Sequence, residues 1–107
     1  MAIYDPDKIF DALETAAEEW ANADYDARRL ENLQKSRLAQ ITLAKMDGKS
    51  KAQAELEALA EPEYMEFLEG LCVAKQKAIR ARAKYENYQA LSEARRTEQA
   101  SIRSLTR

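Results

Sequence analysis

Between Pro6 and Gly48 the chain contains neither glycine nor proline, and between Pro62 and Arg107 it contains only Gly70. These two residue types are the ones that interrupt helices, proline by removing a donor and clashing, glycine by its backbone entropy. Two long stretches that hold at most one of them constrain the chain to long helices, and the apolar spacing agrees. In the first stretch Ile9, Leu13, Ala16, Trp20, Ala23, Ala27 and Leu30 recur at steps of four and three, the seam of a packed helix. Gln34, Arg37, Ile41 and Ala44 continue the steps with weaker apolar character, while Leu33, Leu38 and Leu43 point to a broader seam. In the second stretch Phe67, Leu71, Ala74, Ala78, Ala81, Tyr85 and Tyr88 form the seam, with Met65, Leu68, Cys72 and Ile79 expected to broaden it. The pattern weakens after Leu91, and Ile102 and Leu105 resume it faintly.

Local signals set the ends. Asp5 is placed to cap, Pro6 suits the first helical position, and Asp7 and Asp11 favour the positive end of the helix dipole. Gly48 in Asp47-Gly48-Lys49-Ser50 is a left-handed stop. Ser50 followed by Gln53 reads as a capping box for a short helix carrying Ala52, Ala54, Leu56, Ala58, Leu59 and Ala60. That set is enough to pack over the end of a hairpin but not to stand alone. Glu61-Pro62 then opens the last helix. We expect one all-α domain, with helices over about 6–46, 51–60 and 62–103.

Charge orients the two long helices. Residues 1–34 carry three basic and nine acidic side chains, and 35–51 carry five and one. Residues 52–72 carry none and six, and 73–107 carry nine and three. Folded antiparallel, each block faces its opposite; folded parallel, like charge meets like. Exposed pairs contribute only a few tenths of a kcal/mol each, so they select orientation more than they stabilise. The implied register pairs residues whose numbers sum to about 108, which sets Trp20 against Tyr85 and Tyr88, Leu30 against Ala78 and Ile41 against Phe67. Many apolar residues are alanine, so the core of this coiled-coil-like hairpin is thin. We expect further burial through self-association into a homo-oligomer, such as a dimeric four-helix bundle.

The chemistry on offer is limited. There is no histidine and one cysteine, so one chain holds no Cys/His zinc set. Gly48-Lys49-Ser50 matches only the tail of a phosphate-binding loop, without its first glycine or preceding strand. Glu14 with Glu18, and Glu66 with Glu69, have helical spacing for a carboxylate metal site but lack the Glu-x-x-His element. We expect no cofactor, no metal and no enzymatic activity. The lone Cys72, the absence of a basic-then-apolar leader and the absence of a long apolar window lead us to expect a cytoplasmic protein that does not enter a membrane.

Two sets of side chains remain as interaction candidates. Lys75, Arg82, Arg96 and Arg103 fall on one stripe of the last helix, expected to pair with acids of the first such as Asp5, Asp11 and Asp26. Lys77, Arg80 and Lys84 fall on another face, where phosphate binding assisted by stacking on Tyr85 and Tyr88 is the functional alternative. At a net charge of −2 such nucleic-acid binding is weak and salt-sensitive. Trp20 sits at a seam position and is expected in the core, the alternative being a partner-binding patch. The acidic outer face of the first helix (Asp7, Glu14, Glu18, Asp24, Glu31) is either solvated or a mimic of nucleic-acid charge.

Ile9-Phe10-Asp11-Ala12-Leu13-Glu14-Thr15-Ala16 leading to Trp20, with Glu61-Pro62-Glu63-Tyr64 opening the last helix, resembles small all-helical accessory proteins encoded by phages and prophages. The resemblance spans most of the chain and carries over no catalytic residue. It implies an interaction protein, an accessory or inhibitor acting on a host or phage protein, located in the host cytoplasm. The second implication is a nucleic-acid-binding accessory of recombination or replication. Secreted WxG-type hairpins are similar in size, but Trp20-Ala21-Asn22 lacks their glycine and the bend here lies at Asp47-Gly48.

Overall fold

A computed structural model describes residues 6–105. Its described residues form an all-α helical hairpin of three helices: α1 (Pro6–Lys45), α2 (Lys51–Leu59) and α3 (Pro62–Leu105). The proposed capping and pairing roles of Asp5 fall outside the described residues, as does Arg107. Gly48 takes φ +68°, the left-handed conformation that ends α1. Ser50 caps α2, its Oγ accepting from the Gln53 N–H at 3.2 Å. The Glu61 carbonyl accepts from the N–H groups of Tyr64 and Met65 at 3.0 and 3.1 Å. Helix α3 therefore begins at Pro62, where a missing N–H removes no hydrogen bond.

Two compact units divide the chain, one formed by Met1–Ala23 with Ala78–Arg107, the other by Asp24–Lys77. In the first unit, Ile9, Ala16 and Ala23 of α1 are buried, while Ala78, Ala81, Tyr85 and Tyr88 of α3 are half-buried. Trp20 lies tilted against Tyr85 with ring centroids 5.4 Å apart, and the Arg82 guanidinium sits 5.8 Å from the Trp20 ring. This is a packed aromatic pair with a cation over one face.

The second unit holds the denser core. Ile41, Ala58 and Tyr64, one from each helix, are buried together, with Leu38, Phe67 and Leu68 packed around them. The Tyr64 ring stacks near Phe67 at 6.5 Å, and its hydroxyl accepts from Gln34 Nε2 at 3.3 Å. Thr42 is buried and donates its hydroxyl to the Leu38 carbonyl at 2.8 Å, which satisfies it within α1.

Charge blocks meet as the antiparallel arrangement requires. Glu19 pairs with Lys84 at 3.2 Å in the first unit. In the second, Glu31 approaches Lys75 at 3.8 Å, Arg37 pairs with Glu63, and Lys45 pairs with Glu61 at 2.7 Å. The Lys45 pKa is raised by the hydrogen bond to Glu61 and by the charges of Glu61 and Glu57. The expected register holds approximately: Trp20 meets Tyr85, and Phe67 packs on the cluster that contains Ile41. Residue numbers sum to 103 for Glu19–Lys84, 105 for Trp20–Tyr85, 98 for Gln34–Tyr64 and 106 for Lys45–Glu61. Charge blocks many residues long fix direction but tolerate a slip of a few residues.

Candidate interaction surfaces

The two sides of α2 carry opposite kinds of residue from those a simple amphipathic helix would show. Ala54 and Ala58, four apart, face the core and are fully buried. Leu56 and Leu59 lie on the opposite side at 69% and 49% exposure, joined by exposed Ala52 and Ala60. A short helix held by the loops at both ends packs close when its inner face is alanine, and this leaves its larger side chains outside. The expectation that all six apolar residues of α2 pack over the hairpin end holds only for its two inner alanines.

The seam of α3 is likewise narrower than its sequence suggested. Of the residues expected to broaden it, only Leu68 is half-buried; Met65, Cys72 and Ile79 are exposed, and Val73 joins them at 60%. On α1, Leu38 packs onto the core cluster, whereas Leu33 and Leu43 are exposed. The cause is the alanine content of the seam. Small residues bring helices together along a thin line of contact, so a side chain one flank away touches nothing.

The basic residues of α3 divide differently from the stripes read in the sequence. Lys75 approaches Glu31, and Arg82 bridges Glu86 on its own helix at 2.9 Å while covering Trp20. Neither Asp11 nor Asp26 takes part in an ion pair among the described residues. On the other face Lys84 pairs with Glu19, while Lys77 and Arg80 are exposed and without an ion-pair partner among the described residues. Arg80, Lys84 and Tyr88 line one open depression with Ala83, Asn87 and Leu91. Tyr85 does not join them, because its ring is engaged by Trp20.

Trp20 is half-buried, and Glu14 and Glu18 are exposed on α1 without ion-pair partners among the described residues. A second open groove, in the Asp24–Lys77 unit, is lined by Leu33, Ser36, Arg37, Gln40, Glu63, Glu66 and Phe67, with the Arg37–Glu63 pair across it. Among the described residues no three His, Cys, Asp or Glu side chains come together to hold a metal, and no helix is long and apolar enough to cross a membrane.

Compared with known proteins, the chain matches no family, no curated protein and no solved structure. Its surfaces are therefore interpreted from its own residues. The outward leucines of α2 and the outward Met65, Val73 and Ile79 of α3 were in the sequence as apolar positions off the main seam, and only the closeness of helix approach leaves them exposed.

Proposed function

We propose that this chain is a non-enzymatic protein-interaction module, whose contacts are made by the outer faces of α2 and α3. One observation carries the reading: on α2 the alanines are inside and the leucines outside. Exposed single apolar residues are ordinary, but large ones grouped on one helix face mark interaction surfaces. The resemblance of residues 9–16 and 61–64 to phage and prophage accessory proteins extends the proposal to an accessory or inhibitor of a host or phage protein. The test is affinity capture with the wild-type chain and with Leu56→Ser/Leu59→Ser as parallel baits. A protein retained by the first and lost by the second is the expected result. Equal capture by both, or none by either, contradicts the reading.

A second reading is nucleic-acid binding by α3, favoured by the depression that gathers Arg80, Lys84 and Tyr88. On this reading, changing Lys77, Arg80 and Lys84 to glutamate lowers affinity for single-stranded DNA by roughly ten-fold or more in fluorescence anisotropy at low salt. Affinity unaltered by the change removes the reading.

A further inference from the structure

We propose that the outer face of α3 around Cys72 and Val73 binds a second copy of the same chain, the two α3 helices lying antiparallel about a twofold axis. The inference rests on the interaction reading above and names its partner for this face. Met65, Cys72 and Ile79 are seven residues apart on one continuous helix, and with Val73 they share the side turned away from the seam residues Leu71, Ala74 and Ala78. Met65, Val73 and Ile79 are each more than half exposed, and Cys72 is exposed.

Charge along this face identifies the occupant. From Pro62 to Val73 helix α3 carries Glu63, Glu66 and Glu69 and no basic residue. From Ala74 to Tyr85 it carries Lys75, Lys77, Arg80, Arg82 and Lys84 and no acid. Among the described residues, Glu66, Glu69, Lys77 and Arg80 make no ion pair within their own chain. An acidic partner would suit the second half and be repelled by the first, and a basic partner would do the reverse. A second α3 laid antiparallel suits both halves at once. Centred on Val73, it brings Glu66 to Arg80 and Glu69 to Lys77 of the other copy, and the twofold axis repeats each pair. A parallel copy would set acid on acid and base on base. An isologous contact of this kind closes on itself, giving a dimer rather than a filament.

Sedimentation equilibrium of the purified chain tests this, with circular dichroism to confirm that each variant remains helical. The wild-type chain is expected to be dimeric at micromolar concentration. Glu66→Lys/Glu69→Lys alone, and Lys77→Glu/Arg80→Glu alone, should each weaken dimerisation by roughly ten-fold or more, because each sets like charges together. The four changes combined should restore it. A short bis-maleimide, reacting with Cys72 on both copies near the axis, should give a covalent dimer of the wild-type chain without any substitution. A monomeric wild-type chain, single reversals that dimerise as well as wild type, a combined reversal that stays monomeric, or no Cys72 cross-link overturns the proposal. A monomeric chain that still retains a different protein through Leu56 and Leu59 removes the second copy and leaves the interaction reading standing.

Discussion

Replacing Tyr64 by alanine should cost about 3–5 kcal/mol and remove cooperative unfolding of the Asp24–Lys77 unit. Tyr64 is the largest side chain among the buried residues, at 4% exposure, and it joins Ile41 of α1 to Ala58 of α2. Its ring also stacks near Phe67. Most other buried residues are alanines, each removing little apolar surface from water, so no neighbour replaces what Tyr64 contributes. Domains of this size have only about 5–15 kcal/mol of stability in total, so the loss is a large fraction of it. Tyr64→Phe removes only the hydrogen bond from Gln34 and should cost about 0.5–1.5 kcal/mol. Urea unfolding followed by circular dichroism measures both. Equal costs for the two substitutions would place the energy in the hydrogen bond rather than in packing.

Ala58→Leu should destabilise the chain by about 1–3 kcal/mol or more, although leucine is the more hydrophobic residue. Ala58 is fully enclosed between Ile41 and Tyr64, and a larger side chain there pushes α2 away from both. The loop before α2 is short and held by the Lys49–Glu57 pair at 2.5 Å and by the Ser50 cap, so α2 has little freedom to retreat. Thermal unfolding compared with wild type checks the sign. A raised melting temperature would mean that α2 has room beneath it and that its alanines are not the packing face.

The helix boundaries were legible because they depend on local chemistry. Gly48, Ser50 and Pro62 each act on their own few residues, and the observed ends at Lys45 and Leu59 lie within one residue of the expected ones. The antiparallel direction was legible because it follows from net charge over long blocks, and Glu19–Lys84 and Lys45–Glu61 realise it. The register was legible only approximately: Trp20 meets Tyr85 and Phe67 packs on the cluster holding Ile41 as expected, whereas Gln34 meets Tyr64. The outward faces were hidden. Helical periodicity marks Leu56 and Ala58 alike as apolar, and only the closeness of approach decides which of them is enclosed. The same holds for Leu71 and Cys72, neighbours in sequence about 100° apart around α3, one buried and one exposed. Among the candidate contact residues, Lys77 and Arg80 could be placed on one face from spacing alone. The engagement of Lys84 by Glu19 and of Tyr85 by Trp20 needed the fold.

On the proposed reading the leucines of α2 face partners and its alanines hold the fold. Its most direct test is urea unfolding of Leu56→Ser/Leu59→Ser at a concentration low enough to keep the chain unassociated. The expected stability is within about 0.5 kcal/mol of wild type, as for surface substitutions generally. A loss of several kcal/mol, comparable to that of Tyr64→Ala, would show that these leucines belong to the core and would contradict the account.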